Sequence, residues 1–306
     1  MKDFTPNEPL SKHTTLGIGG PAKFFVETEH EEELKDIVKS ALAGKIPFIV
    51  IGAGSNLLVS DKGYEGLIVK NTLMGISEKD GLISAKAGDS LQELVDFSIA
   101  KGLSGLQKMT GIPGTVGGAV YGNAGAYGQT ISDHLVRVKV FDGEKTFWVE
   151  KGECNFSYRD SDFKKNKYIL LEVEFRLGKG DAEILKKEAA ETLTLRLQKY
   201  KPGIACPGSF FKNVQVKDLT QEQLEGIPKD KIVYEKIPAG YLLEEVGAKG
   251  AKRGDIEIAS FHANLFMNTG KGTARDFFTL SEEYRQKVKE KFGIELEPEV
   301  QLVGFY

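Results

Sequence analysis

Apolar residues recur along the chain with two spacings, one typical of helices and one typical of strands. Between residues 30 and 43 they follow the pattern of an amphipathic helix, and Gly44 supplies a C-terminal stop. The apolar positions of this helix are Leu34, Ile37, Val38, Ala41 and Leu42. A short strand is predicted at 23–28, and the continuous apolar run 46–51 fits a buried strand. The chain is therefore predicted to begin as β-α-β.

The same patterns predict a second helix and two longer strands further on. The second helix begins at Ser90, which forms a capping box with Glu93, and it ends at Gly102. Residues 135–141 and 168–176 have the composition of strands, with turns between them. The first part of the chain is therefore predicted to be mixed α/β and rich in strands.

A long charged helix at 181–200, closed by Pro202, is predicted to separate this part from a second domain. The elements predicted after it are a helix at 239–246, a strand near 261–268, a helix at 274–291 and a last strand at 294–302. The apolar face of the helix at 274–291 consists of Phe277, Leu280, Tyr284 and Val288. In the last strand, Ile294, Leu296, Val300 and Leu302 alternate with polar residues, which predicts one buried face.

Composition narrows the class of protein. The chain has 306 residues, 41% of them hydrophobic, which is enough for two or three domains with real cores. A net charge of −3 gives no reason to expect nucleic acid or an anionic membrane as a partner. The N-terminus lacks the apolar core of a signal peptide, and no apolar run is long enough to span a membrane. Two cysteines, Cys154 and Cys206, fit a reducing compartment, so a cytoplasmic location is expected.

Two glycine-rich segments are candidates for a phosphate-binding loop. The first consists of Gly52, Gly54, Ser55, Asn56 and Leu57 with Ala53, and it follows a predicted strand. Closely spaced backbone N–H groups can bind a phosphate, although neither the dinucleotide fingerprint nor the P-loop is present. The second, 111–128, has seven glycines and no formal charge, which suits a pyrophosphate and the edge of an isoalloxazine ring. From the residues alone, each segment could also be a plain turn between strands.

Three single residues could carry chemistry, although each is usually a surface residue when taken alone. Arg159 offers a planar cationic fork for a carboxylate or an enolate. Ser209, fixed by a glycine and flanked by aromatic residues, could deliver a proton, and Glu299 lies on the polar face of the last strand. The four histidines lack zinc-ligand spacing with a suitable third ligand, so no metal site is predicted. A structural role is favoured for His262.

Taken together, the motifs resemble one family. They are HTTLGIGGPA at 13–22, GAGSNLL at 52–58, GIPGTVGGAVYGNAGAYG at 111–128, YRDSDFK at 158–164, GSFFKN at 208–213, HANLFMN at 262–268 and LEPEV at 296–300. Seven motifs in this order resemble the UDP-N-acetylenolpyruvoylglucosamine reductase family over nearly the whole chain. The separation of Arg159 from Ser209 resembles the shorter class of that family, which lacks an extra tyrosine loop.

The resemblance implies an α+β chain with an FAD-binding fold of the PCMH/vanillyl-alcohol-oxidase type, followed by a C-terminal α/β substrate domain. The FAD-binding fold would have two α/β subdomains, at 1–70 and 71–195. The substrate domain would cover 196–306, and its last strand would return Glu299 to the active site. Val214, where the family usually has proline, and the segment 214–238 depart from the family pattern.

The resemblance also implies residue roles. Ser209 would be the general acid, with Arg159 and Glu299 as its catalytic partners. Contacts to FAD would come from Gly52, Gly54, Ser55, Asn56, Leu57, Gly111, Ile112, Pro113, Thr115, Gly118, Ala119, Asn123, Gly125 and Ala126. Contacts to the UDP-sugar would come from Tyr127, Tyr158, Lys201 and Asn213, and Lys199 is as near a candidate as Lys201.

The implied reaction is the NADPH-dependent reduction of UDP-N-acetylglucosamine-enolpyruvate to UDP-N-acetylmuramate through bound FAD. It would serve peptidoglycan precursor synthesis, and through it cell shape and division, with a monomeric enzyme. Two alternatives stay open at this point. One is an alcohol oxidase of the same FAD-binding fold, which would usually add a histidine or cysteine bonded to the flavin. The other is a non-catalytic UDP-sugar-binding module.

Overall fold

The computed structural model describes residues 4–305, and both helices and strands are present throughout. The helices are α1 (Glu31–Ala43), α2 (Leu91–Ala100), α3 (Val116–Tyr121), α4 (Phe163–Asn166), α5 (Ala182–Lys199), α6 (Gln221–Glu225), α7 (Ala239–Glu245) and α8 (Ala274–Phe292). Within this range, no helix is long and apolar enough to cross a membrane.

The longest strands lie in the first two-thirds of the chain, and the strands of the last third have two or three residues. They are β1 (Thr5–Pro9), β2 (Pro21–Thr28), β3 (Phe48–Ile51), β4 (Leu57–Val59), β5 (Tyr64–Asn71), β6 (Ile76–Lys79), β7 (Leu82–Lys86), β8 (Leu103–Ser104), β9 (Gly125–Ala126), β10 (Gln129–Thr130), β11 (Leu135–Phe141), β12 (Thr146–Glu150), β13 (Ile169–Arg176), β14 (Gly178–Lys179), β15 (Val214–Gln215), β16 (Lys236–Ile237), β17 (Lys252–Arg253), β18 (Ile256–Ile258), β19 (Phe266–Asn268) and β20 (Gln301–Val303).

Two compact units divide the described residues, and each is built from three separate stretches of chain. Unit 1 comprises 4–8, 22–53 and 65–198, and unit 2 comprises 9–21, 54–64 and 199–305. The division into domains at 1–70, 71–195 and 196–306 stays a prediction.

Unit 1 contains two main sheets. The first has the strand order β1-β2-β5-β3, in which β3 and β5 run parallel, and the second is antiparallel with the order β12-β11-β13-β7-β6. Helix α1 packs Leu34, Ile37 and Val38 against Phe141 of β11 and its neighbours. The predicted face of α1 is confirmed at these positions but wrong at Leu42. That side chain is 49% exposed, because it lies at the edge of the face, over Gly143.

Charged side chains cover part of the antiparallel sheet of unit 1. Glu31, in the first turn of α1, pairs with Lys139 at 2.7 Å and with Lys86 at 3.3 Å. Lys86 also pairs with Glu172 at 2.6 Å. These residues lie on α1 and on the adjacent strands β7, β13 and β11, so the ion pairs fix the helix N-terminus to the sheet.

The predicted capping box at the start of α2 is wrong. The Ser90 side chain makes no capping hydrogen bond, although the helix does begin at Leu91. Instead, Ser90 forms a β-bridge with Thr115, and the Leu91 N–H donates to the Gly114 carbonyl at 3.1 Å. The start of α2 is therefore determined by its pairing with the glycine-rich segment.

The core of unit 2 contains a cluster of four phenylalanine rings. Phe210 packs on Phe211, Phe266 and Phe277 with ring centroids 4.7, 5.5 and 5.1 Å away, and all four side chains are fully buried. The predicted apolar face of α8 is confirmed, since Phe277, Leu280, Tyr284 and Val288 are all buried. The antiparallel sheet β17-β18-β19 lies beside it.

The last predicted strand is only partly correct. Ile294, Leu296 and Val300 are buried as the alternation predicts, but only Gln301–Val303 forms a strand, paired in parallel with β4. Leu302 is 39% exposed, because the residue that turns inward in this strand is Val303. The strand predicted near 261–268 is also shorter, at Phe266–Asn268, because the chain turns at 261–264 and Leu265 forms only an isolated β-bridge.

Candidate functional site

In unit 1, the glycine-rich segment 111–128 packs directly against the first glycine loop. Thr115 caps α3 by accepting a hydrogen bond from the Gly118 N–H at 3.2 Å. A Cβ placed on Gly52 would clash with the Thr115 Oγ1 and lie 3.1 Å from its Cγ2. Gly52 is thus required for the close approach of β3 to this segment. The structure brings Gly52, Thr115 and Gly118 together, as the predicted cofactor site needs.

Two glycines among the predicted cofactor contacts differ in how tightly the chain packs around them. A Cβ on Gly118 would have its nearest neighbour, the Thr115 Oγ1, at an ordinary 3.4 Å, so the packing of the chain does not by itself require glycine there. At Gly125, by contrast, a Cβ would lie 2.7 Å from the Gln129 carbonyl oxygen. The packing of the segment therefore requires glycine at Gly125 but not at Gly118.

Asn123 provides an independent sign of a ligand. Its side chain is 4% exposed, its φ is +43°, and its Nδ2 donates to the Ser157 carbonyl at 2.7 Å. Its Oδ1 is buried and accepts no hydrogen bond from any residue that the structure describes. An unsatisfied buried acceptor costs about 1–3 kcal/mol, so a donor from outside the chain is expected here. A flavin carries such an N–H donor, and the residues of this segment fit the cofactor.

Arg159 is fixed beside the same segment. Its φ of +56° places it in a tight turn in which Ser157 and Asp160 form a β-bridge. The guanidinium donates from Nη2 to the Gly125 carbonyl at 2.8 Å, and its Cζ lies 5.3 Å from the centre of the Tyr158 ring. A left-handed conformation is costly for arginine, so this backbone strain marks Arg159 as a candidate functional residue.

Tyr127 lies at the tip of the hairpin between β9 and β10. Its φ is +52° and that of Gly128 is +81°, the signature of a type I′ turn. Gly125 begins this hairpin, so its bond to Arg159 ties the arginine and Tyr127 to one element. Within unit 1, the structure therefore brings together Arg159, Tyr158, Tyr127 and the glycine-rich segment.

In unit 2, Ser209 and Glu299 are both positioned by Phe210, which follows Ser209 in the chain and bonds to the Glu299 backbone. Ser209 forms a β-bridge with Leu265, and the preceding Gly208 has a φ of +86°, which glycine adopts readily. The Glu299 N–H donates to the Phe210 carbonyl at 2.7 Å, and the Phe210 N–H donates to the Asn264 carbonyl at 3.0 Å. The structure thus places the predicted proton donor and the predicted carboxylate on neighbouring backbone segments.

The remaining part of the first glycine loop belongs to unit 2. The Asn56 Nδ2 donates to the Pro207 carbonyl at 3.2 Å, and the Asn56 carbonyl accepts from the Gln301 N–H at 3.0 Å. A Cβ on Gly54 would clash with the His13 carbonyl oxygen. The residues Gly54–Leu57 are therefore fixed by the Ser209 and Glu299 segments, whereas Gly52 is fixed by Thr115.

The predicted sugar-nucleotide contacts of unit 2 differ in their surroundings. Lys201 is exposed, and its Nζ lies 4.5 Å from the centre of the Phe261 ring. Lys199 is also exposed. The Asn213 Oδ1 accepts the Ala239 N–H at 3.1 Å and so satisfies a donor at the start of α7. The side-chain oxygen of Asn213 thus has a structural role in addition to the predicted one.

Sequence reasoning missed Tyr200, which lies between the two lysines considered for the substrate. Its hydroxyl is 2.8 Å from the Ser209 Oγ, and its ring centre lies 6.1 Å from that of His262. Burial lowers the pKa of His262, and the charge of Lys199 lowers it further, so this imidazole is neutral at pH 7. Its Nδ1 accepts the Asn264 N–H at 3.2 Å. Its position nine residues before Ser209 is the one sequence feature that could have indicated it.

Comparison with known protein families first shows which class of protein the chain belongs to. Residues 22–148 match the family model described as FAD binding domain, and residues 198–303 match that described as UDP-N-acetylenolpyruvoylglucosamine reductase, C-terminal domain. An FAD-binding domain thus occupies most of unit 1, which confirms the prediction of an α+β chain with an FAD-binding fold. The chain belongs to the UDP-N-acetylenolpyruvoylglucosamine reductase family.

Close relatives cover the full length. The chain is 42% identical to the UDP-N-acetylenolpyruvoylglucosamine reductase of Solibacter usitatus over 97% of this chain and 95% of the relative. It is 38% identical to the protein of the same name from Carboxydothermus hydrogenoformans, over 97% of this chain and 93% of the relative. The crystal structure of UDP-N-acetylenolpyruvylglucosamine reductase (MurB) from Thermus caldophilus matches with a TM-score of 0.78 and 31% identity, covering 99% of this chain and 100% of that chain.

Proposed function

We propose that the chain reduces UDP-N-acetylenolpyruvoylglucosamine to UDP-N-acetylmuramate with NADPH, through bound FAD, and so supplies peptidoglycan precursor synthesis. The observation that carries the proposal is the full-length relationship to proteins of that name, at up to 42% identity among the relatives compared. The buried, unsatisfied Asn123 Oδ1 beside the glycine-rich segment supports cofactor binding in this chain itself.

Bound FAD would supply hydride transfer from NADPH to C3 of the enolpyruvyl group. The residues of unit 1 would then orient the ligands. Gly52 and Gly118 would let the backbone lie close to the cofactor, and Asn123 would accept a hydrogen bond from it through its side-chain amide oxygen. Arg159 would bind the substrate carboxylate and stabilise the negative charge that develops on it, since a guanidinium matches a carboxylate in two hydrogen bonds.

The residues of unit 2 would complete the reaction. Ser209 would donate its hydroxyl proton to C2, which together with the hydride at C3 converts the enol ether into the lactyl ether. Glu299 would shape the electrostatics at the reacting carbons. Positioned general acids of this kind typically contribute about 10²–10⁴ in rate. Tyr127, Tyr158, Lys201 and Asn213 are proposed to bind the UDP-sugar, with Lys199 as the alternative to Lys201.

The test separates the two half-reactions under anaerobic conditions. In Ser209→Ala, NADPH should reduce the flavin at the wild-type rate, whereas reoxidation by the enolpyruvyl sugar should slow by about 10²-fold or more. Ser40→Ala is a matched control, because Ser40 is exposed on α1 and its hydroxyl donates to the Asp36 carbonyl of its own helix. Undiminished reoxidation in Ser209→Ala would remove Ser209 from its proposed role. A protein that binds no flavin would overturn the whole proposal.

We also propose that the enzyme acts as a monomer in the cytoplasm, without a nucleic-acid or membrane partner. The net charge of −3 argues against a nucleic-acid or anionic-membrane partner, and the two free cysteines, Cys154 and Cys206, fit a reducing compartment. Sedimentation of the FAD-loaded protein tests the monomer, and a dimer at micromolar concentration would contradict it.

A further inference from the structure

The Ser209 hydroxyl can act as an acid only if a neighbouring group stabilises or reprotonates the alkoxide that it leaves. A serine that gives its proton to carbon is left as an alkoxide, which is unstable unless a donor stabilises it or returns a proton. The structure supplies one such group, since the Tyr200 hydroxyl lies 2.8 Å from the Ser209 Oγ. A phenol is a stronger acid than an aliphatic alcohol, so a proton can move from Tyr200 to the serine alkoxide.

The two hydroxyls are held on a common support. The Asn264 side chain makes two hydrogen bonds to the Phe211 backbone. Its Oδ1 accepts the Phe211 N–H at 2.9 Å, and its Nδ2 donates to the Phe211 carbonyl at 2.8 Å. The Asn264 carbonyl accepts the Phe210 N–H, which fixes Ser209 from the following residue. The same turn carries His262, whose ring packs on the Tyr200 ring. Residues 262–264 therefore set the position of the serine and of the tyrosine together.

Tyr200 is also partly exposed to solvent. It directly follows α5 and is only partly buried, as is Ser209. The neighbouring Lys201 ammonium lies over the Phe261 ring. A proton lost from Tyr200 can therefore be replaced from solvent.

We propose that Tyr200 is the positioning residue for Ser209 and the source of the proton that replaces the one it gives to substrate. The inference rests on the proposed function. As the Ser209 O–H bond breaks, its proton forms the new C2–H bond of the product. The Tyr200 O–H bond then breaks, its proton forms a new O–H bond on the Ser209 Oγ, and the phenolate takes a proton from water. No electrons are exchanged in this relay.

The test is Tyr200→Phe, which keeps the ring against His262 and removes only the hydroxyl. NADPH should reduce the flavin of this variant at the wild-type rate. Reoxidation by saturating enolpyruvyl sugar should slow by about 10- to 100-fold, the value of a hydrogen bond to a charged group. The dissociation constant of the sugar, measured by calorimetry with the oxidised protein, should stay within about twofold, because a positioning residue acts on the rate.

The matched control is Tyr284→Phe. It removes a tyrosine hydroxyl from the same unit, where the Oη donates to the Gly247 carbonyl at 3.4 Å. Both half-reactions of this variant should match those of the wild type. Slowed reoxidation in Tyr284→Phe equal to that in Tyr200→Phe would overturn the proposal, because the loss would then reflect a general weakening of unit 2.

Comparison with Ser209→Ala separates this inference from the proposed function. If Tyr200 acts through Ser209, then Tyr200→Phe should add no further loss in a Ser209→Ala background. Slow reoxidation in Ser209→Ala with wild-type reoxidation in Tyr200→Phe would overturn the role of Tyr200 and leave Ser209 in place. Weakened sugar binding with an unchanged saturating rate would also overturn it, since Tyr200 would then be a substrate contact. Fast reoxidation in Ser209→Ala would instead contradict the proposed function.

Discussion

Replacement of Phe210 by leucine should loosen the support of Ser209 and Glu299 together. Phe210 is fully buried, and its ring contacts Phe211, Phe266 and Phe277 in unit 2. Its carbonyl also accepts the Glu299 N–H at 2.7 Å. The change is therefore expected to lower the stability of unit 2 and to disturb the placement of both proposed catalytic side chains.

The size of the effect follows from these contacts. Truncation of a buried phenylalanine to alanine costs about 3–5 kcal/mol, and leucine retains much of the volume. Aromatic pairs are worth about 0.5–1.5 kcal/mol each, and the pairs in one cluster are not additive. We expect Phe210→Leu to cost about 2–3 kcal/mol, which lowers Tm by about 4–12 °C in a domain of this size.

The assay combines thermal unfolding with the two half-reactions. Circular dichroism should show the lowered Tm, and stopped-flow absorbance should show slower reoxidation by the enolpyruvyl sugar with unchanged reduction by NADPH. Phe278→Leu is the control, because that ring is only partly buried and packs on Phe305. A Tm for Phe210→Leu equal to that of the control, with both half-reactions intact, would refute the reasoning.

Two predictions concern unit 1. Gly52→Ala should raise the Kd for FAD by about tenfold or more, because the new Cβ would clash with Thr115. Fluorescence titration would measure the Kd, and Gly152→Ala is the control, because a Cβ at Gly152 meets nothing within 4 Å. Burial raises the pKa of Glu31, but the hydrogen bonds and charges of Lys139 and Lys86 outweigh it and leave that pKa below 4.5. Because the folded-state pKa is lowered, its stabilisation is present above pH 4.5 and is lost as pH falls through the folded value. Glu31→Gln should thus lower the urea-unfolding free energy by about 1–2 kcal/mol at pH 7 and by less at pH 3, and equal losses at both pH values would contradict the ion-pair account.

The regular elements could be predicted because their periodicity depends on neighbouring residues. The spacing of Phe277, Leu280 and Tyr284 alone determines which face of α8 is buried. The strand at 294–302 could not be predicted in full. Its only strand residues pair with β4, where Leu302 lies beside Leu58, and alternation cannot reveal a partner so distant in the chain.

The candidate site shows the same limit. Ser209, Arg159 and Glu299 could be proposed because their motifs are characteristic of the family. Tyr200 could not, because its contact with Ser209 depends on the course of the turn between them. The sequence also could not reveal that the first glycine loop has two sets of contacts. Gly52 and Asn56 belong to one continuous motif, but Gly52 packs against Thr115 and Asn56 bonds to Pro207.

Unit 2 combines early and late stretches of the chain, and this has a consequence for folding during synthesis. Residues 57–59 leave the ribosome long before 301–303, the strand with which they pair, and at about 5–20 residues per second the delay is on the order of 10–50 s. Leu16, Ile18 and Leu58 also emerge well before the rest of their apolar cluster, which begins at Phe210. During that interval these segments expose apolar surface, so chaperones should stay bound to the chain until residues 301–303 have left the ribosome.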